Sequence, residues 1–578
     1  MAWNETRVRA LLRGAGAVAL VTCGLGAQTV HGLVEADVTK ERLAGGVVVA
    51  VDAAGRGATP SAITNANGEF VLRFRLPGRY ALSVRRLGYR PIQLSIGVSA
   101  SDTTLTVRMS PVPVRLQAIA TRSRGQCRVR PTSDTTLWAM WSAAEVAMLN
   151  ARVASGTQEY RFDAEFFQRT YDISPAKILE VSLQDTAVVG GRPWASLPPD
   201  SLDHAGYVSA TESHMTFVGP DLDALLSPAF LDNHCFSVHR ADPGDFTVLA
   251  GLDFAPASRS RHIDIRGTFW LDRSTSELRA LTFNYDRLPF VGSDTLAGGR
   301  IEFAHLSSGA WVLTHWFIRT PLPRQSYLRL VASRAALDAF HAERVVNAAD
   351  PQFGSSNVQV TGASVRAVRH QGTSPASVLW RAPVGTLTVH VRERNADSSY
   401  TAAEGDVVRL RGSTRQATTD KNGDAMFPDI LPGEYILEAA GPVQDALELP
   451  PDRLVVVVNA PAPVSAEARV MSEAVALRAA CGGSLGRGEG VLSGRVVRDD
   501  LPVSDRERVY VASVDGRYHD YDIRADSDGR FRACGVPKGE TLIASVISRG
   551  RTRASARVTI PVTERFVSVS LDFKQTPP

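Results

Sequence analysis

Apolar and polar residues alternate with a period of two along most of this chain. The alternation is clear over 46–51, 70–74 and 79–84, again over 385–391 and 434–438, and a third time over 491–497 and 524–531. A period of two sends successive side chains to opposite faces of a sheet, so these runs predict half-buried strands. A turn phrase punctuates each group. It reads Asn65-Ala66-Asn67-Gly68-Glu69-Phe70, Asp420-Lys421-Asn422-Gly423-Asp424-Ala425 and Asp526-Ser527-Asp528-Gly529-Arg530-Phe531. Asn65, Asp420 and Asp526 can each bond backbone groups two residues on, and Gly68, Gly423 and Gly529 supply the positive φ of a tight hairpin. An apolar residue and a proline corner follow at Leu76-Pro77-Gly78, Leu431-Pro432-Gly433 and Val536-Pro537-Lys538-Gly539. Proline sets φ and removes a donor, which suits the entrance to a strand. Chance hairpins would not share this corner, so the pattern predicts one β module repeated three times. Each copy is taken to open on the first strand of its group (46–51, 385–391, 491–497). Units of about 80 to 90 residues suit a seven-strand sandwich.

Residues 128–345 lack the phrase. Ser133 or Asp134 can cap a helix running to about Val153, with Leu137, Trp141, Ala144 and Met148 on one face as core. Two hairpins are predicted, 267–272 with 277–285 and 299–304 with 310–319, and a helical turn within 221–234 near Pro228. A curved sheet under a covering helix makes either an apolar groove or, more commonly, a filled core.

The first copy carries Thr64-Asn65-Ala66-Asn67-Gly68-Glu69-Phe70, Leu76-Pro77-Gly78-Arg79-Tyr80 and Leu87-Gly88-Tyr89. These residues resemble the carboxypeptidase regulatory-like domain, a transthyretin-like β-sandwich grouped with carbohydrate-binding-like folds. The second copy has Ala425 in place of the phenylalanine, followed by Met426-Phe427, and the third has Thr541 where the tyrosine stands. The resemblance implies a mainly β chain: three Ig/transthyretin-like sandwiches (28–115, 383–472 and 481–573) flanking a central antiparallel β domain (128–345) with one covering helix. In that family the domain is an accessory rather than the peptidase. It accompanies secreted peptidases, outer-membrane receptors and envelope proteins, and it makes carbohydrate a candidate ligand. The central region, through Pro220-Asp221, His234-Cys235-Phe236, Gly251-Leu252-Asp253-Phe254 and 297–303, is similar to the middle of secreted bacterial proteins that begin with such a domain. Its hairpin series is also similar to half-barrels that hold lipid or lipoprotein acyl chains.

The chain has 578 residues, room for three to five domains, and 44% apolar with 21% charged residues is an ordinary globular composition. A net charge of +4 with scattered basic residues gives nucleic-acid binding no support. Residues 1–27 read as a secretion signal: Arg7, Arg9 and Arg13 precede an apolar run over 15–25, and Gly24, Gly26 and Ala27 suit cleavage. The expected location is the periplasm, the outer-membrane surface or the exterior. Cys23 raises a lipid anchor, but Thr22 before it is a poor match to a lipobox. No later run approaches the 18 or so apolar residues of a membrane helix. Removing the signal leaves Cys127, Cys235, Cys481 and Cys534. An even count in an exported chain predicts disulfides. Of three pairings, Cys127–Cys235 and Cys481–Cys534 keep each bridge inside one domain. Zinc ligation would need close-spaced pairs, which are missing, and His234 is too near Cys235 to chelate with it.

Other candidate chemistry meets local objections. Gly482-Gly483-Ser484-Leu485-Gly486 has the G-x-S-x-G spacing, but a strand follows where the nucleophile elbow needs a helix. His390 and Glu393 have the spacing of carboxypeptidase zinc ligands, yet i and i+3 of a strand face opposite ways. Asp420, Asn422 and Asp424 resemble a calcium loop without its downstream glutamate. Trp194, Trp270, Trp311, Trp316 and Trp380 are candidates for sugar stacking that core packing explains as well. No cofactor or metal is expected. The sequence therefore predicts a non-catalytic exported envelope protein that binds or scaffolds, its partner an envelope protein, a glycan or a lipid. The alternative is a lipid or lipoprotein carrier, or an outer-membrane receptor accessory, acting through the central domain. A metallopeptidase has least support.

Overall fold

The structure is a computed structural model that describes residues 28–52, 60–99, 102–112, 126–127, 135–172, 177–189, 196–210, 215–239, 248–257, 262–286, 288, 297–322, 357–371, 377–498, 501–502, 508–514, 521–526, 529–548 and 551–573. Residues 1–27, Ser133, Asp134 and Trp194 lie outside that set, so the signal segment, the helix cap and one candidate tryptophan have no structural account.

In the first module, strand Gln28–Ala36 pairs antiparallel with Glu69–Phe74 on one side and parallel with Thr103–Met109 on the other. The facing sheet runs Ser61–Ile63, Val47–Asp52, Gly78–Arg85, Ile92–Val98. Glu69–Phe74 is buried at every second residue, as its alternation requires. The opening strand is therefore Gln28–Ala36 and not 46–51, which lies in the opposite sheet. Both are valine-bearing strands, and only the pairing separates their roles.

The other two modules repeat this wiring. Gly385–Arg394 lies between Asp424–Ile430 and a parallel Val464–Met471, and Glu489–Arg498 between Arg530–Pro537 and a parallel Phe566–Phe573. Their facing sheets run Gln416–Thr418, Val407–Leu410, Gly433–Ala440, Asp452–Val458 and Tyr521–Arg524, Arg508–Ser513, Thr541–Ser548, Arg551–Thr559. The missing phenylalanine of the second copy now has a reason. Phe70 lies opposite Gly32 and Phe531 opposite Gly494, and a Cβ on either glycine would come within 2.8 Å of that ring. In the second copy the same pair is Ala425 opposite Val389. Bulk has moved across the strand pair while the core stays filled.

The central sheet has eleven strands. Its order is Ile178–Val189, Tyr160–Asp172, Asn357–His370, Trp311–Leu322, Gly298–His305, Leu278–Asp286, Asp264–Asp272, Leu249–Pro256, His234–Val238, Gln126–Cys127, with Val378–Arg381 added beside Asn357–His370. Both expected hairpins are present, with Thr268 opposite Thr282 in the first. Asn357–His370 lies beyond the expected span of 128–345, yet it sits inside the sheet and pairs along its whole length with Tyr160–Asp172. One partner, Trp311–Leu322, is the described strand before it, but the other, Tyr160–Asp172, is remote in sequence, so no local pattern places it there.

The helix Thr135–Gly156 covers the sheet from strand His234–Val238 to strand Leu278–Asp286. Its interior has neither glycine nor proline and is rich in alanine, which favours a helix. The expected stripe of Leu137, Trp141, Ala144 and Met148 is buried, but so are Met140, Ala143, Val146, Ala147 and Ala151. Burial extends round the helix because the short helix Leu222–Leu225 packs on it as well, with Arg152 3.4 Å from Asp223. Trp141 meets Phe236 and Phe269 edge-on at 5.4 and 5.8 Å between ring centres. Phe254, Phe230, Leu271 and Leu281 complete the packing, each buried. The face of these strands that the helix covers is a filled aromatic core.

The second sandwich shares its core with the far end of the central sheet. Phe167, Ile178, Val181 and Leu183 belong to one apolar cluster with Leu387, Leu410, Phe427 and Tyr435. The N–H of Leu183, on the sheet's edge strand, donates to Gly412 O at 2.7 Å, which protects that edge from other strands. Around the rim, Arg366 lies 3.3 Å from buried Glu165, Arg411 lies 3.1 Å from Glu180, and Arg169 Nε donates to Glu434 O at 3.1 Å. The third sandwich joins the second through helices Pro442–Ala446 and Glu473–Cys481. Val491 enters a cluster with Leu447, Ala476 and Leu477, and Ser493 Oγ donates to Ala446 O at 3.2 Å. Disulfide Cys481–Cys534 ties the second of these helices to strand Arg530–Pro537, and Cys127–Cys235 holds the last short strand of the central sheet.

Candidate binding cleft

The repeated phrase folds the same way three times. Asn65 Oδ1 accepts from the N–H groups of Asn67 and Glu69 at 2.9 and 3.0 Å. Asp420 Oδ1 accepts from Asn422 and Asp424 at 2.8 and 3.0 Å, and Asp526 Oδ1 from Arg530 at 2.9 Å. Gly68, Gly423 and Gly529 have φ of 72°, 81° and 77°. Their carbonyls accept from Val34, Val391 and Val496 in the neighbouring strand at 2.8, 2.7 and 2.7 Å. The N–H bonds from Asp424 and Asn422 hold the Asp420 carboxyl below the usual carboxylate range. Asp420 is thus occupied by turn chemistry. After the corners at Pro77 and Pro432, Tyr80 and Tyr435 donate to the carbonyls of Leu76 and Leu431 at 2.8 and 2.9 Å. In the third copy, whose corner is Pro537, Tyr521 donates instead to Gly535 O at 2.7 Å, from a different strand.

The remaining motifs disperse. His390 Nδ1 lies 2.6 Å from Asp424 Oδ1, across the strand pair, and is not joined to Glu393. Among the described residues no three His, Cys, Asp or Glu side chains converge on a metal position. Ser484 is exposed just after helix Glu473–Cys481, and strand Glu489–Arg498 follows, the reverse of an elbow. Trp311 is buried, while Trp270, Trp316 and Trp380 are half-buried in strands. Trp270 Nε1 donates to Thr282 Oγ1 at 2.9 Å, which fixes it in the sheet. A pocket of about 230 Å³ in the central domain is lined by Tyr207, Phe230, His234, His262 and Asp264. Buried His234 has each ring nitrogen within hydrogen-bond distance of a backbone carbonyl, Phe230 O at 2.8 Å and Ile265 O at 3.2 Å. It pins the helix Pro228–Asn233 to the sheet.

A larger cleft, about 1130 Å³, opens between the second and third sandwiches. Arg409, Arg411 and Arg453 line it from the second, and Arg495, Arg524, Arg530 and Arg532 from the third. Among the described residues the carboxylates in its wall are Glu438, Asp445, Glu448 and Asp526, so there the cations outnumber the anions seven to four. Glu438 is shared by Arg411 at 2.6 Å and Arg453 at 2.8 Å, and Glu448 by Arg530 at 2.6 Å and Arg495 at 2.9 Å. Arg409 pairs with Asp445. Arg532 donates to two carbonyls, Leu447 O and Ala480 O, and burial pushes its guanidinium below the ordinary arginine range against the pull of Glu448 and Asp526. The sequence reading missed this cleft. The signal was present in Arg409-x-Arg411 and Arg530-x-Arg532, where a period of two puts both arginines on one strand face.

A comparison with protein families matches residues 29–110 to the carboxypeptidase regulatory-like domain. No curated protein matches the chain significantly. Among solved structures, the minor pilin GBS52 of Streptococcus agalactiae is similar at 16% identity over 34% of this chain and 97% of its own, with a TM-score of 0.14. The 5-hydroxyisourate hydrolase of Klebsiella pneumoniae is similar at 18% identity over 15% of this chain and 92% of its own, with a TM-score of 0.13. A protein of Pseudomonas aeruginosa described as a putative carbohydrate binding protein is similar at 17% identity over 15% of this chain and 88% of its own, with a TM-score of 0.11. The family match covers the module whose turn phrase keeps its phenylalanine beside the proline corner and the tyrosine, and residues 29–110 are a carboxypeptidase regulatory-like domain.

Proposed function

We propose that this chain is an exported, non-catalytic β protein of the bacterial cell envelope that serves as a binding and scaffold module. The observation that carries the proposal is the fixed coupling of its last two sandwiches. One shares a core with the central sheet, the other is tied on by packed helices and a disulfide, and a cleft lies between them. Pre-positioned surfaces lose less entropy on binding than hinged ones, so such coupling suits recognition. Disulfides persist in oxidising compartments, which supports export. Carbohydrate is the ligand class that the regulatory-like domain suggests. A carrier of lipid or lipoprotein needs an open apolar groove, and the inward side chains of the strands from His234–Val238 to Leu278–Asp286 are instead buried under the helix.

Two measurements test the proposal. Cells expressing the full chain are fractionated and its thiols mapped by mass spectrometry with and without reduction. Recovery outside the cytoplasm with both bridges intact is expected, and a cytoplasmic chain with all its cysteines as free thiols would refute export. The immobilised full chain is then challenged with solubilised envelope polysaccharide and protein. Specific retention is expected, and no retention of either would refute the binding role.

A further inference from the structure

We infer that the cleft between the second and third sandwiches binds an acidic polysaccharide, its arginines donating to the carboxylates of the polymer. The inference rests on the reading of the chain as an exported binding module and names the ligand of that module.

Charge and donor supply both lead there. A guanidinium offers five N–H donors in a planar fork suited to carboxylate. Glu438 takes one nitrogen of Arg453 and Glu448 one of Arg495, which leaves donors on both arginines for another acceptor, while Arg411 is engaged by Glu180 as well as Glu438. Arg453 and Arg495 keep 56% and 42% of their side-chain surface open, so donors on both are within reach. Arg524 is exposed and has no partner among the described residues. On the third-sandwich side four arginines face Glu448 and Asp526, and one Asp526 oxygen is already engaged by the N–H of Arg530. The positive excess among the described residues is therefore concentrated at that end, where Arg532 adds a cation whose hydrogen bonds go to the carbonyls of Leu447 and Ala480.

The shape and the side chains narrow the ligand. About 1130 Å³ is too large for one small anion and suits several linked sugar rings. Among the described residues the only aromatic side chain in the lining is Phe531, which is buried in the third sandwich's core. Neutral sugars and single-stranded nucleic acids both draw on exposed aromatic platforms. A carboxylated sugar polymer needs none, because its charges repeat along the chain and meet the guanidiniums directly.

The test uses the full chain with polygalacturonate, a carboxylated sugar polymer, in calorimetric titrations. Neutral dextran and oligo(dT) serve as comparison ligands. Binding of polygalacturonate is expected to weaken about tenfold or more between 50 and 300 mM salt, as direct charge contacts require. The double variant Arg453→Gln/Arg524→Gln should weaken it by about tenfold per arginine. Both side chains are exposed, and unchanged thermal unfolding will show that the variant is folded. Dextran binding as tight, oligo(dT) binding tighter, no binding of polygalacturonate, or an unaffected double variant would each overturn the inference. Retention of other envelope components by the immobilised chain would survive those outcomes, so failure of this inference is separable from failure of the binding role.

Discussion

Replacing Gly68 by alanine should loosen the first sandwich far more than the same change at two nearby glycines. Three positions in one module separate the physical causes. At Gly97 φ is ordinary and no atom lies within 4 Å of an added Cβ. Gly97→Ala should change stability by less than about 0.5 kcal/mol. At Gly88 φ is +80° with the same open space, so alanine meets the backbone penalty alone. That penalty is about 1 to 2 kcal/mol, partly offset by the stiffer unfolded chain, for a net loss of about 1 kcal/mol. At Gly68 φ is +72°, and the Cβ would sit 2.6 Å from Val34 O and 3.0 Å from Leu43 N. Both are backbone atoms and cannot swing aside. Relief means moving the turn and weakening the 2.8 Å bond from Val34 N–H to Gly68 O. Adding about 1 to 2 kcal/mol for that bond and the clash brings the loss to about 3 kcal/mol. Hydrogen exchange read by mass spectrometry on peptides from residues 28–99 reports the module within the full chain. Protection should fall on the order of a hundredfold for Gly68→Ala, several-fold for Gly88→Ala and negligibly for Gly97→Ala. Equal losses at Gly68 and Gly88 would refute the role assigned to the close backbone approach.

Three further outcomes follow from the packing and the charges. Cys481→Ser with Cys534→Ser opens a loop of 53 residues and should cost the third sandwich about 4 kcal/mol, read as protease sensitivity within residues 489–573. Trp141→Ala removes a side chain that is 1% exposed and should destabilise the central domain by about 3 to 5 kcal/mol in urea unfolding followed by near-ultraviolet dichroism. Burial, with Glu393 adding to it, raises the Asp406 carboxyl to about 6, so the folded chain binds this proton more tightly than the unfolded chain. Stability should therefore decline as pH rises from about 4 to about 6, and Asp406→Asn should remove that part of the pH dependence in melting curves taken across the window.

Local interactions made much of this protein legible from its amino acids. The Asn/Asp-x-x-Gly phrase specifies its own hydrogen bonds within five residues, so three hairpins and their alternating strands could be read without neighbours. The helix over Thr135–Gly156 was legible for a similar reason, through its alanine content and its apolar stripe. Long-range pairing was not. Gln28–Ala36 and Val47–Asp52 carry similar valine patterns, and only the parallel pairing with Thr103–Met109 shows which one centres its sheet. Asn357–His370 enters the central sheet between Trp311–Leu322, the described strand before it, and Tyr160–Asp172, which is remote in sequence, and its alternation alone does not name the second. The shared core of Leu183 and Leu410, and the seven arginines of the cleft, depend on how whole modules meet. A period of two says that Arg409 and Arg411, or Arg530 and Arg532, share a face. It does not say that the two faces look at each other, because charge excess at a cleft comes from side chains that only docking brings together.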